Sequence, residues 1–97
     1  TVGELRINTG RRAVSYNNMP VTLTHKEFEL LHLLASNKEL VISRDRLLSE
    51  VWGYDFVGES RTLDVHIRTL RHKLSCAGCG DYIKTVRNVG YKLEVPE

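Results

Sequence analysis

The side chains best suited to contact another molecule lie on one face of residues 61–74. In a helix that turns by about 100° per residue, six of them project within roughly 120°. They are Arg61, Thr62, Val65, Arg68, Thr69 and His72. Arginine binds phosphate or the acceptor edge of guanine, threonine binds phosphate, and a valine methyl can touch the methyl of thymine. This combination predicts a helix that enters the major groove of DNA.

The opposite side of the same segment is apolar. Its residues recur at i, i+4, i+7 and i+11, which is the spacing of a helix stripe that faces a core. They are Leu63, Ile67, Leu70 and Leu74. A solvated basic surface remains the alternative for the polar side, but such a surface would not usually include an outward-facing valine such as Val65.

Length and composition indicate one small domain over residues 1–97. Of the 97 residues, 41% are hydrophobic and 27% are charged, which supports a single compact core. No segment approaches the roughly 18 apolar residues that cross a bilayer, and no signal peptide is visible. We therefore expect no membrane partner and a cytoplasmic location. Because the chain starts without Met, we also expect a fragment or a processed product, with a partner domain missing.

The distribution of charge is more informative than the net charge of +2, which is too small to indicate nucleic-acid binding. Residues 61–97 carry seven Lys or Arg against four Asp or Glu, whereas residues 43–60 carry two against four. Positive charge therefore collects around the two-faced helix. The acidic segment ends in residues 53–60, which we expect to form an exposed loop with a separate partner.

Short alternating patterns predict strands at both ends of the chain. Residues 5–8, 13–16 and 19–23 form a small antiparallel sheet, in which Pro20 indicates an edge position. Residues 82–86 and 90–95 form a terminal hairpin joined by residues 87–89. Leu40-Val41-Ile42 is a lone strand or a packed connector.

Capping signals place three helices between these strands. Thr24 and Glu27 form a capping box at the start of an apolar, centrally buried helix over residues 25–36. Ser43 caps a second helix over residues 44–52, and Ser60 caps the third, over residues 61–74. The fold class is α+β: a winged helix-turn-helix with an N-terminal antiparallel sheet, a three-helix bundle and a C-terminal hairpin wing.

The motif Cys76-Ala77-Gly78-Cys79 could be a redox pair or half of a zinc site, with His72 as a third ligand. No second pair of this kind follows, and the motif lies after a helix rather than between a strand and a helix. We therefore expect reduced thiols and no metal or cofactor. No nucleophile–base pairing, glycine-rich phosphate loop or paired-carboxylate motif is present, so we expect no enzyme activity.

Three segments together resemble the DNA-binding effector domain of OmpR/PhoB-type response regulators. They are LTHKEFELLHLLASNKELVISRDRLLSEVWG (23–53), RTLDVHIRTLRHKL (61–74) and YIKTVRNVGYKLE (82–94). The resemblance covers essentially the whole chain. It implies binding to double-stranded DNA as a head-to-tail dimer on direct repeats. It also implies an N-terminal receiver domain, absent here, that a sensor histidine kinase phosphorylates.

The resemblance also implies roles for individual residues. Arg61 and Thr62 would hold phosphates, Val65 would contact base methyls, and Thr69, with Arg68, would lie nearest the base edges. Thr69 stands where some relatives carry Arg, so we expect a site less dependent on guanine there. Arg87 would enter the minor groove. The remaining DNA-contact candidates are Trp52, His66, Arg71, His72, Lys84, Thr85 and Tyr91.

The loop over residues 53–60 matches the segment that contacts RNA polymerase in relatives. The residues expected to make this contact are Tyr54, Asp55, Phe56, Val57 and Glu59. Exposed aromatic rings beside acidic groups suit a protein partner, although the rings could instead fold into the core. A winged helix that binds only proteins and never DNA, and a thiol or metal sensor built on the two cysteines, remain the alternatives.

Overall fold

The computed structural model describes residues 5–53, 61–78 and 82–94. The N-terminal sheet has three antiparallel strands in the order β1-β2-β3. Their bounds are β1 Leu5–Asn8, β2 Ala13–Tyr16 and β3 Met19–Val21. Asn17 and Asn18 turn the chain between β2 and β3 with φ values of 49° and 68°, a region that asparagine tolerates. Pro20 lies on the edge strand β3, as predicted, where its missing N–H breaks no sheet ladder.

Three helices follow: α1 His25–Ser36, α2 Arg44–Trp52 and α3 Arg61–Cys76. The predicted capping box is confirmed, because Thr24 Oγ1 accepts from Glu27 N–H at 3.3 Å and Glu27 Oε1 accepts from Thr24 N–H at 2.9 Å. Ser43 Oγ accepts from Arg46 N–H at 3.1 Å and so caps α2. Gly53, with φ of 110°, ends α2. Side-chain caps thus mark the starts of α1 and α2. Ser60, the predicted cap of α3, lies outside the described residues.

The second sheet has the order β4-β6-β5, with β4 Ile42–Ser43, β5 Ile83–Val86 and β6 Gly90–Leu93. Ile42 pairs with Tyr91 and Ser43 with Gly90, so this segment is a short strand paired with β6, neither the lone strand nor the packed connector that was expected. The hairpin of β5 and β6, which we call the wing, is thereby joined through β4 to the start of α2. The wing and the strand that leads into α2 therefore belong to one hydrogen-bonded sheet.

The core lies where α1 packs against α2 and α3, with both sheets closing its ends. The predicted apolar stripe of α3 is confirmed, since all four of its residues are buried. The prediction for α1 is too strong, because Leu33 and Ala35 are only partly buried. Within the described residues, no helix is long and apolar enough to cross a membrane.

Gly90 follows the turn of the wing. Its φ is not in the left-handed region, so backbone freedom is not what this position requires. Instead, a Cβ at this position would lie 1.9 Å from the carbonyl oxygen of Ile42. Strands β4 and β6 approach so closely that only a residue without a side chain fits.

Gly90→Ala should therefore lower the free energy of unfolding by roughly 1–3 kcal/mol, since β4 must shift to relieve the clash. Urea denaturation followed by circular dichroism measures this change. Gly10→Ala is the matched control, because a Cβ there meets its nearest neighbour, Asn8 Oδ1, at an ordinary 3.5 Å. Equal stability of the two variants would contradict the steric explanation.

Candidate nucleic-acid interface

The outer face of α3 presents the predicted set of side chains. Those exposed to solvent are Arg61, Val65, Arg68, Thr69 and His72, and Thr62 is half-buried. Val65 is 50% exposed, so an apolar side chain does point away from the core. Among the described residues, Arg68 has no ion-pair partner. Its charge is available to a phosphate or a base edge.

A buried carboxylate holds α3 against α1. Glu27 is 3% exposed and accepts hydrogen bonds from two residues of α3. Lys73 Nζ donates to Glu27 Oε1 at 2.6 Å, and Thr69 Oγ1 donates to Glu27 Oε2 at 2.6 Å. Sequence reasoning recognised Glu27 as a capping residue only, because a capping box gives no signal of a partner more than forty positions away.

The surroundings of Glu27 keep it ionised. Burial by itself would raise its pKa. The hydrogen bonds from Lys73, from the Thr24 backbone and from Thr69, together with the charge of Lys73, outweigh burial and lower the pKa from 4.5 to about 2. Above that pH, Glu27 is a carboxylate that can accept hydrogen bonds but cannot donate one.

Trp52 and His66 form a second contact between helices, at the junction of α2 and α3. Their rings meet edge to face with centroids 4.9 Å apart. His66 Nδ1 lies 2.8 Å from the carbonyl oxygen of Thr62. A carbonyl only accepts, so Nδ1 must carry the proton, and Nε2 has one to donate only when the ring is charged. Both side chains are half-buried and support the start of α3.

Arg71 ties α3 to the wing. Its Nη2 donates to the carbonyl oxygen of Ile83 at 3.0 Å and to Thr85 Oγ1 at 2.8 Å. The guanidinium also lies over the ring of Tyr91, 5.7 Å from its centroid. The sequence suggested Arg71 as a DNA contact, whereas in the structure some of its guanidinium N–H groups donate to β5.

Asp64 forms a second link between α3 and the wing. Its two carboxylate oxygens accept from Arg44 at 2.6 and 3.0 Å, and Oδ1 also accepts from the hydroxyl of Tyr91 at 2.6 Å. The hydrogen bonds from Arg44 and then Tyr91 lower the pKa of Asp64. Asp64 therefore holds an arginine of another helix, and no signal in the sequence indicates this pairing because the two residues are 20 positions apart.

The wing presents its own exposed cation. Arg87 is exposed in the turn between β5 and β6, beside Asn88, whose φ is 66°. Val89 N–H donates to the carbonyl oxygen of Val86 at 3.0 Å and closes this turn. Thr85 is exposed and Lys84 half-buried on β5. Tyr91, a predicted DNA contact, is buried with 6% of its surface exposed, and its ring packs in the core.

The described residues include only some of the cysteine-motif and polymerase-contact candidates. Cys76 is exposed near the end of α3, with its Sγ 3.7 Å from His72 Nε2. No group of three metal-binding side chains occurs in the described part of the chain. Cys79 lies outside the described residues. The five residues expected to contact RNA polymerase, Tyr54, Asp55, Phe56, Val57 and Glu59, also lie outside them.

Comparison with known proteins identifies this arrangement. Residues 18–93 match the family model described as "Transcriptional regulatory protein, C terminal". The chain belongs to the OmpR/PhoB-type family of DNA-binding domains. This family consists of DNA-binding domains of transcription factors rather than enzymes.

Relatives of this OmpR/PhoB-type domain include the heme response regulator HssR of Staphylococcus aureus, 39% identical over 94 residues. The match covers 97% of this chain but only 42% of HssR, so the chain spans less than half the length of that relative.

Solved structures show the same winged-helix fold. The DNA-binding domain of CpxR from E. coli has a TM-score of 0.86 at 36% identity, and the match covers 100% of this chain and 96% of that one. The Klebsiella pneumoniae RstA DNA-binding domain, solved in complex with the RstA box, has a TM-score of 0.85 at 36% identity. Its match covers 97% of this chain and 94% of that one.

The depressed pKa of Glu27 predicts a specific pH dependence of stability. Because the pKa is lower in the folded state, the carboxylate stabilises the fold above about pH 4.5, and this stabilisation is lost as the pH falls towards about 2. A shift of this size corresponds to roughly 3 kcal/mol. Glu27→Gln should remove that part of the pH dependence in urea titrations between pH 6 and 2.

Glu50→Gln is the control, since Glu50 pairs only at the surface with Arg46. It should change stability by less than about 1 kcal/mol and leave the pH profile parallel to that of the unmodified protein. A profile for Glu27→Gln that also ran parallel would show that Glu27 is not the group responsible.

Proposed function

We propose that this chain is one effector domain, residues 1–97, that binds a specific sequence of double-stranded DNA and thereby controls transcription. The observation that carries the proposal is the outer face of α3. It exposes Arg61, Val65 and Arg68 together on a helix held by polar contacts on both sides. A helix with this face fits the major groove, where arginine reads guanine acceptors and valine reads thymine methyls.

The wing would contact the adjacent minor groove through Arg87. Its position in an exposed turn suits insertion into a narrow groove, whose negative potential attracts arginine. Thr85 Oγ1 accepts a hydrogen bond from Arg71 and so keeps its own proton for a phosphate. Tyr91 has one hydroxyl proton, which it donates to Asp64, and a phosphate contact by Tyr91 requires that this bond break.

Further contacts would set the register on the phosphate backbone. We assign these to Arg61, Thr62 and Lys84, with Trp52, His66 and His72 at the margins of the same surface. Arg71 would act mainly by holding the wing on α3. Phosphate contacts carry little sequence information, but they supply much of the affinity and make it depend on salt.

The full-length protein would be a two-component response regulator acting in the cytoplasm. HssR carries the name of a response regulator, and this chain corresponds to less than half of it. We propose an N-terminal receiver domain phosphorylated by a sensor histidine kinase. We also propose head-to-tail pairing on direct repeats, and contact with RNA polymerase through residues 54–59.

Removal of the two exposed arginines tests the proposal. Arg68→Ala and Arg87→Ala should each weaken binding to a selected duplex by about 1–3 kcal/mol. For Arg87→Ala, the slope of log affinity against log salt should also fall by about 1. Fluorescence anisotropy over a range of salt concentrations measures both quantities, and circular dichroism checks that the variants fold.

Arg11→Ala is the matched control, because Arg11 is an exposed arginine in the turn between β1 and β2 rather than on α3 or the wing. It should leave affinity within about twofold of the unmodified domain. Unchanged affinity of both test variants for every DNA sequence would favour a winged helix that binds only proteins.

A further inference from the structure

Thr69 occupies two environments at once. It is exposed at the edge of the outer face of α3, yet its hydroxyl oxygen lies 2.6 Å from Glu27 Oε2 and 3.1 Å from the carbonyl oxygen of His66. Both of these neighbours are acceptors. A threonine hydroxyl has one proton to donate, so that proton points into the protein whichever neighbour receives it.

The acceptor character of Glu27 does not change under ordinary conditions. A carboxyl group with a pKa of about 2 is ionised throughout the neutral range and has no proton to give back to Thr69. Lys73 occupies the other carboxylate oxygen at 2.6 Å, so the carboxylate is held in place beside Thr69. Hydrogen bonds to an ionised acceptor are stronger than neutral ones, and this makes the inward orientation of the proton the stable one.

We infer that Thr69 reads DNA only as a hydrogen-bond acceptor and through its methyl group. This inference rests on the proposed function and specifies the base chemistry at one position. The bases that fit are adenine and cytosine, through their amino groups, and thymine, through its methyl. The acceptors N7 and O6 of guanine, which a free hydroxyl could satisfy as a donor, do not fit.

The test begins with a binding-site selection from random duplex DNA at fixed salt, using the unmodified domain, Thr69→Ala and Thr69→Val. Valine keeps a methyl at the position of the threonine methyl and removes the oxygen. The base pair whose preference differs among the three proteins is the one that Thr69 contacts. Both variants should fold, because Glu27 keeps Lys73 and the Thr24 backbone as donors. Circular dichroism checks this.

Base analogues then separate the two modes of readout at that pair. Purine without the 6-amino group replaces adenine, cytosine with its 4-amino group removed replaces cytosine, uracil replaces thymine, and 7-deazaguanine replaces guanine. We expect removal of the amino or methyl group to weaken binding of the unmodified domain by roughly three- to tenfold. Thr69→Ala should be insensitive to that removal, and Thr69→Val should remain sensitive only to loss of the thymine methyl.

Two results would overturn the inference. The first is loss of affinity on 7-deazaguanine substitution in the unmodified domain but not in Thr69→Ala, which would mean that Thr69 donates to guanine. The second is identical selected sequences for all three proteins, which would mean that Thr69 reads no base. Neither resembles failure of the proposed function, in which no sequence is enriched and Arg68→Ala has no effect on binding.

Discussion

A buried carboxylate needs hydrogen-bond donors within reach, and Glu27 receives them from both of the helices that it joins. The backbone of Thr24 donates at the start of α1, whereas Lys73 and Thr69 donate from α3. Loss of Lys73 would leave an ionised group buried without its counter-charge, which costs far more than the loss of a surface ion pair. The angle and register between α1 and α3 are therefore specified by directional bonds as well as by apolar packing.

The other side of α3 is held by the same kind of chemistry. Asp64 accepts from Arg44 and Tyr91, and Arg71 donates to the backbone and to Thr85 of β5. The two elements proposed to reach DNA, α3 and the wing, are thus joined directly by hydrogen bonds between their side chains and backbone. Apolar contacts alone are nearly non-directional, so polar bonds at defined atoms are what keep the two elements in one relative orientation.

The sequence predicted most of the fold, because its signals are local. Capping residues, the apolar stripe of α3 and alternating strands each depend on neighbours within a few positions. The outer face of α3 was predictable for the same reason. What could not be predicted were contacts between elements: Glu27 with Thr69, Arg44 with Asp64, and the approach of Gly90 to Ile42. Each joins residues whose separation along the chain carries no periodic signal.

The residues that hold α3 against its neighbours differ from the residues that face outward, except at Thr69. Arg68 and Val65 are exposed without a role in packing α3 against its neighbours, whereas Thr69 belongs to both sets. The donor that a base would use is the same proton that compensates Glu27. Base preference at Thr69 is therefore coupled to the junction of α1 and α3. A substitution that turned this donor towards DNA would leave Glu27 with Lys73 and the Thr24 backbone as its donors, and so would weaken the junction of α1 and α3.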